Sequence, residues 1–344
     1  MEAIEILRGG LNGLAEYLSL HVITCLVPAL FIAGAISAFA SQAAILKYFG
    51  PQAKKPVAYS VGSVSGAILA VCSCTVLPLF GGIYKRGAGL GPAIAFLFSG
   101  PAINILAIVY TANILGYELG IARAVGAISF AVCIGLIMAF IFRKEEVQKA
   151  QAQAFALVEA DPNGKKPWQY AIFFGTLIAI LITAASKYWV PFGILGGVLG
   201  ITLWRWFTGG EIKEWLKETL YFLKRILPWL LLGVFIAGIL GTVIPPTAMA
   251  TYMGGNTLLS NFIASIGGAL MYIATLTEVP IIKTFMDLGM GKGPALALLL
   301  AGPALSLPSM LALRGIIGAK KMLVYVALVV AAATITGLIY GSVA

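Results

Sequence analysis

Charged residues are scarce in this sequence. Asp, Glu, Lys and Arg make up 10% of its 344 residues, whereas 60% are hydrophobic and the mean hydropathy is +0.98. A soluble domain carries about 25% charged residues, so this chain has too few charges to cover a water-exposed surface. Its many apolar stretches reach the roughly 20 residues that a helix needs to cross a bilayer. The composition therefore predicts an all-α, polytopic transmembrane helical bundle.

The chain is also poor in the residues and motifs of common active sites. It has one histidine, His21, and four cysteines that all lie in apolar stretches. Zinc motifs and the Walker A motif are missing. The glycine-rich run 87–91 follows no predicted strand, so a dinucleotide fold is not indicated. We therefore expect no enzyme and no cofactor, while a soluble ATPase partner stays open.

The net charge of +10 comes from short basic runs between the apolar segments. This pattern is typical of topology signals rather than of nucleic-acid binding, which we do not expect. If all segments cross, the count of Lys and Arg favours a cytoplasmic N-terminus, with Arg123 in an external loop. Two other external loops with three basic residues each disagree with that count. About ten membrane segments are predicted, at 18–41, 57–82, 90–114, 119–142, 168–187, 190–207, 226–247, 257–281, 293–313 and 320–341.

An internal duplication is the strongest signal in the sequence. Residues 78–102 match residues 280–304 at an offset of 202 without a gap, and seven Gly or Pro positions coincide. Internal repeats are the usual construction of secondary transporters. Ten full crossings would make the repeats parallel, and a re-entrant segment would make them inverted; the sequence leaves both open. The predicted divisions are a first transmembrane repeat 1–142, a polar linker 143–167, two connecting segments plus an amphipathic helix 168–225, and a second repeat 226–344.

Each repeat carries Gly-Pro inside a long apolar segment, at Gly100-Pro101 and Gly302-Pro303. Proline removes a backbone donor and clashes with the preceding turn, so these positions predict broken or re-entrant helices. Equivalent breaks in two halves of a transporter point to the binding site. Asn104 and Ser306 follow the breaks at matching positions. A plain kink remains the alternative.

Polar groups cluster just before the duplicated proline. The first repeat has Cys72 and Cys74, and the second has hydroxyls at 275–277 followed by Glu278. Residues i and i+2 lie on opposite faces of a regular helix, so the two thiols share an ion only if Pro78 unwinds the segment. Thiolates prefer soft ions, which makes the pair a candidate metal site. Packing as small hydrophobic residues is the alternative.

Glu278 is the carboxylate placed deepest in an apolar run. Ionisable residues inside a membrane are costly and point to function, so Glu278 is the candidate for proton coupling. The alternatives are a position near a helix end or a structural pair with Lys283.

The longest stretch of specific residues resembles a known family. It comprises CSCTVLP (72–78), GGIYKRGAGLGP (81–92) and SGPAIN (99–104). It is similar to the predicted-permease family that includes ArsP-type organoarsenical efflux permeases. The resemblance implies a permease with trivalent arsenicals or metals as solutes and with thiols as their ligands. Cys72 and Cys74 match that role; the second repeat has no cysteine, so a third thiol would have to be Cys25.

These observations predict a permease that moves a small soft or thiophilic solute across the cytoplasmic membrane, outward. The expected partners are the solute, a small molecule or an ion, and the lipid bilayer; a homo-oligomer stays open. A membrane thiol oxidoreductase, a carrier of a different small anion, and a channel or scaffold are the alternatives. The predicted path is lined by Cys72, Cys74, Thr75, Gly100, Pro101 and Asn104 in the first repeat and by Thr277, Glu278, Gly302, Pro303 and Ser306 in the second.

Overall fold

A computed structural model describes most of the chain, and all structural statements below refer to that part. The described residues are 3–18, 26–40, 45, 48–50, 53–69, 73–148, 165–186, 188–243, 252–271 and 278–344. Most of the predicted linker 143–167 lies outside them.

The described residues fold into fifteen helices, and their one β-bridge joins Gly254 and Met290. This confirms the all-α class. The helices are α1 (Ala3–Tyr17), α2 (Val27–Phe39), α3 (Lys55–Leu69), α4 (Ser73–Lys85), α5 (Leu90–Ala102), α6 (Ile105–Leu115), α7 (Tyr117–Ile141), α8 (Pro167–Ala185), α9 (Trp189–Trp206), α10 (Gly209–Val243), α11 (Leu258–Leu270), α12 (Glu278–Asp287), α13 (Lys292–Ala301), α14 (Leu307–Ile317) and α15 (Ala319–Val343).

Fewer helices are long enough to cross a membrane than the sequence predicted. Among the described residues α7, α10 and α15 qualify by length and composition, and α5 with α6 makes a fourth if this pair, bent by 45°, counts as one span. The described residues therefore contain three or four membrane-spanning helices rather than the ten membrane segments that were predicted. Several apolar stretches form helices of only 10–13 residues, shorter than the roughly 20 that a span needs. In α5 and α13 glycine or proline stands at the helix ends. The predicted amphipathic segment at 211–225 is the first part of α10, which continues through Pro228.

The duplication seen in the sequence recurs in the helix bounds. Adding 202 to the bounds of α6 and α7 gives the bounds of α14 and α15. Gly116 and Gly318, which precede α7 and α15, have φ of +105° and +87°. Only glycine adopts such angles without strain, so the same residue makes the same turn in both halves.

The equivalent helices α7 and α15 run in opposite directions. Near the start of α7, Glu118 pairs with Lys292 at 3.7 Å, and Lys292 Nζ lies 3.3 Å from the carbonyl oxygen of Ala344, at the end of α15. Beyond the other end of α7, Glu145 pairs with Lys321, at the start of α15, at 3.1 Å. The two repeats are therefore inverted, whereas ten full crossings would have made them parallel.

Glycines set how closely the helices of each repeat pack. A Cβ on Gly66 of α3 would lie 2.8 Å from the backbone nitrogen of Gly100 in α5. A Cβ on Gly268 of α11 would lie 3.1 Å from the backbone nitrogen of Gly302. Each Gly-Pro sequence is thus held against a glycine of a neighbouring helix in its own repeat.

Candidate functional site

Both predicted helix breaks are present, and a polar side chain caps the helix that begins after each break. In the first repeat α5 ends at Ala102, and Asn104 Oδ1 accepts the backbone N–H of Ala107 at 3.4 Å. In the second repeat α13 ends at Ala301, and Ser306 Oγ accepts the backbone N–H of Ser309 at 3.3 Å. Such capping bonds satisfy donors that the start of a helix leaves free.

The two breaks meet at one small cavity between the repeats. Its volume is about 10 Å³, close to the minimum that holds one water molecule. Pro101 contributes from the first break, and Ala304 and Leu305 contribute from the second. The remaining lining residues are Val76, Leu77, Leu97, Ser309, Met310, Leu313 and Tyr325.

A buried ion pair joins the repeats beside the second break. Glu278, the first residue of α12, pairs with Arg123 of α7, and the side chains are 1% and 0% exposed. Arg123 Nη1 also donates to Thr111 Oγ1 of α6 at 2.8 Å. A Cβ on Gly302 would lie 3.6 Å from Glu278 Oε2, so the carboxylate lies at the Gly-Pro break. Thr111, Arg123 and Glu278 are called the charged junction below.

The surroundings of Glu278 separate the two alternatives raised from the sequence. Glu278 is the first residue of α12 that the structure describes. It does not pair with Lys283, because Lys283 pairs with Asp287 at 2.6 Å on the exposed side of α12. Apart from Arg123, the described residues give the carboxylate oxygens of Glu278 no hydrogen-bond donor. The ion pair is therefore wholly buried but not saturated with hydrogen bonds.

Arg123 is the site residue that sequence reasoning missed. It was assigned to an external loop, but it lies inside α7 and is wholly buried. A signal was present, because Arg123 stands within the apolar stretch 119–142, and arginine inside a membrane helix marks a functional position.

The equivalent interface of the inverted repeat has no charge. At the offset of 202, Arg123 corresponds to Tyr325, Thr111 to Leu313, and Glu278 to Val76. These three residues all line the cavity between the breaks. Val76, Leu313 and Tyr325 are called the apolar junction below.

Most of the predicted site residues that the structure describes are buried. Thr75, Asn104 and Ser306 are buried, as are Gly100, Pro101 and Pro303, whereas Gly302 is half-buried. Cys72 and Thr277 lie outside the described residues; Cys74 belongs to α4, but its side chain is not among those described. The thiol pair and the assignment of these residues to a solute path stay predictions. In the described part of the chain no three His, Cys, Asp or Glu residues come together as metal ligands.

Apolar helices, inverted halves and paired helix breaks define a duplicated helical membrane protein of the permease class. The chain belongs to the predicted-permease family, because the family described as "Predicted permease" matches residues 8–342. This confirms the resemblance found in the sequence.

Three proteins from other organisms are similar to the chain. The UPF0718 protein MJ0584 of Methanocaldococcus jannaschii is 46% identical over 98% of this chain and 96% of its own length. The UPF0718 protein YraQ of Escherichia coli is 27% identical over 78% of this chain and 63% of its own length. The UPF0718 protein YcgR of Bacillus subtilis is 22% identical over 40% of this chain and 47% of its own length. No solved structure matches the chain.

Proposed function

We propose that the protein is a secondary transporter that exports a small soft or thiophilic solute, such as a trivalent organoarsenical or a metal ion, across the cytoplasmic membrane. The meeting of both helix breaks at one cavity between inverted repeats carries this proposal. Secondary transporters bind their solutes at the interface of such repeats, where broken helices leave backbone groups free.

The candidate thiols lie just ahead of this cavity in the chain. Val76 and Leu77 of α4 line it, and Cys74 and Cys72 precede Val76 by two and four residues. Thiolates favour soft ions over hard ones, which supports a thiophilic solute rather than an alkali or alkaline-earth cation.

Glu278 is the candidate for coupling transport to protons. Its carboxylate is buried against Arg123, which belongs to the other repeat. Any movement of one repeat against the other changes this contact, and a buried charge that loses its partner is strongly disfavoured. Proton uptake by Glu278 would remove the part of that cost that the carboxylate contributes.

Uptake into everted membrane vesicles tests the proposal. We expect saturable accumulation of one of methylarsenite, arsenite, copper or zinc, and its loss in Cys72→Ser/Cys74→Ser. Cys133→Ser is the matched control, because Cys133 is exposed on α7. Flux of a thiol-free organic anion instead, or thiophilic flux that survives the double substitution, would contradict a thiol-bound solute.

A further inference from the structure

Most of the basic residues of the described chain lie on one face of the molecule. Ion pairs connect Lys85, at the end of α4, to Glu218 of α10, and Lys165, before α8, to Glu211 of α10. Lys321, at the start of α15, contacts Glu146 beyond α7 at 3.4 Å. Arg225 of α10 donates to the carbonyl oxygen of Gly315 at the end of α14. These contacts place the corresponding ends of α4, α7, α8, α10, α14 and α15 together.

This face carries the topology signal of the chain. Its basic residues, taken from these helix ends and their neighbours, are Lys85, Arg86, Arg143, Lys144, Lys165, Lys166, Lys213, Lys217, Lys224, Arg225, Arg314, Lys320 and Lys321. The opposite ends of α7 and α15 have Lys292 beside Glu118. Lys and Arg concentrate on the cytoplasmic side of membrane proteins, so the basic face is cytoplasmic. Arg314, Lys320 and Lys321, which disagreed with the sequence count, now lie with the other basic residues.

This orientation places the two junctions at different depths. Arg123 follows Glu118 by five residues, or about 8 Å along α7 from the external end at 1.5 Å per residue. Tyr325 follows Lys321 by four residues, or about 6 Å along α15 from the cytoplasmic end. The charged junction therefore belongs to the external half of the interface, and the apolar junction belongs to the cytoplasmic half.

We propose that the charged junction is the external gate of the permease and that the gate opens when Glu278 takes up a proton from outside. The proposal rests on the transport function proposed above. Separating Arg123 from an ionised Glu278 would leave two unpaired charges in a buried place, which is strongly unfavourable. A neutral Glu278 removes this attraction, and Arg123 keeps its hydrogen bond to Thr111.

Few other titratable or charged groups of the described residues could control the gate in place of Glu278. The helices packed against α12 are α6 and α13, and α7 reaches it through Arg123. Arg123 is the charged group of their described residues that faces Glu278. Their other titratable side chains, together with those of α12 itself, lie at the surface: Tyr110, Tyr117, Glu118, Cys133, Lys283, Asp287 and Lys292.

Thiol accessibility at two equivalent positions tests the gate without any solute. Ile282 lies one turn beyond Glu278 on α12, Phe80 is its equivalent on α4, and both are 0% exposed. Ile282→Cys and Phe80→Cys would be treated with a membrane-impermeant maleimide in spheroplasts and in everted vesicles. Mass spectrometry of the peptide that carries the new cysteine separates its reaction from that of the native thiols.

We expect Ile282→Cys to react from outside. Once divided by the thiolate fraction at each pH, because the thiolate is the reacting form, its rate should be higher in mildly acidic than in alkaline medium. Adding Glu278→Gln should raise this corrected rate by at least about tenfold and remove its pH dependence, because the variant no longer favours the closed state. Phe80→Cys should react from the cytoplasmic side at a rate that Glu278→Gln leaves unchanged. If Glu278→Gln alone does not reach the membrane, the labelling rate of Ile282→Cys can be measured in Arg123→Gln/Glu278→Gln, in which both members of the pair are neutral.

Two results would overturn the proposal: reaction of Ile282→Cys from the cytoplasmic side, or a rate that neither variant changes. Because labelling needs no solute, a gate that behaves as expected in a protein without thiophilic flux would contradict the proposed solute alone.

Discussion

The charged and apolar junctions occupy equivalent positions in two inverted repeats, yet their chemistry is opposite. One has a buried Arg123–Glu278 pair with Thr111, and the other has Tyr325 and Val76 beside a small cavity. The same backbone arrangement therefore supports both. Duplication supplied the breaks and the packing glycines, and divergence made one interface dependent on charge.

The difference indicates what each interface needs in order to separate. The apolar junction loses packing contacts, since the long hydrogen bond from Tyr325 Oη to the carbonyl oxygen of Ala304, at 3.5 Å, lies within the second repeat. The charged junction also loses a buried ion pair, whose partners cannot be left alone in a low-dielectric interior. The two interfaces are thus unequal, although they occupy equivalent positions in the two repeats.

The largest expected effect comes from breaking the charged pair on one side only. Arg123→Met leaves Glu278 buried without its partner, so the free energy of unfolding should fall by about 3–5 kcal/mol. Arg123→Met/Glu278→Leu should recover most of this loss, because no charge then remains. Chemical or thermal unfolding in detergent measures both. A double variant as unstable as the single one would show that the pair does not act as a unit.

Making the two junctions alike should abolish proton coupling while the fold persists. The variant Thr111→Leu/Arg123→Tyr/Glu278→Val gives the external interface the residues of the apolar junction. We expect proton-dependent flux to fall by roughly two orders of magnitude, as when a positioned proton-transfer group is removed. Vesicle uptake with and without a pH gradient measures this. Unchanged gradient dependence would place the coupling group elsewhere.

The equivalent packing glycines should differ in their tolerance of a methyl group. A Cβ on Gly66 would come within 2.8 Å of both Gly100 N and Phe96 O, whereas a Cβ on Gly268 would meet Gly302 N at 3.1 Å. Overpacking of a dense interior costs about 1–3 kcal/mol, so Gly66→Ala should fall in that range and Gly268→Ala below it. Unfolding midpoints of the two variants provide the comparison. Equal losses of stability in the two variants would show that α3 and α11 shift equally well to make room for a methyl group.

The sequence predicted the features that glycine and proline determine locally. The Gly-Pro breaks, the positions after them at Asn104 and Ser306, and the offset of 202 all follow from residue types with fixed backbone preferences. The all-α class followed from composition alone. Glu278 was singled out because a carboxylate within an apolar run is rare.

Features that depend on three-dimensional arrangement were not predictable. The number of crossings was overestimated, since hydropathy does not distinguish a span from a shorter buried helix such as α11 or α13. The inversion of the repeats depends on that number and stayed open for the same reason. Arg123 was counted with a loop because it stands near the start of the apolar stretch 119–142. Its partner Glu278 lies in the other repeat, and a single sequence gives no pairing between residues so far apart.

The smallest expected effect is at the aromatic residue of the apolar junction. Tyr325→Phe removes the hydroxyl that donates to the carbonyl oxygen of Ala304 and keeps the ring that is 1% exposed. A neutral hydrogen bond contributes about 1 kcal/mol, and at 3.5 Å this one should contribute less, so stability should change little. Proton-dependent flux should also be retained, because the apolar junction separates without a charge. Unfolding and vesicle uptake measured on the same preparation test both points. If Tyr325→Phe reduced coupling as much as the charge-removing triple variant, the two junctions would have to act as one proton pathway, and the assignment of the charge requirement to the external side alone would be wrong.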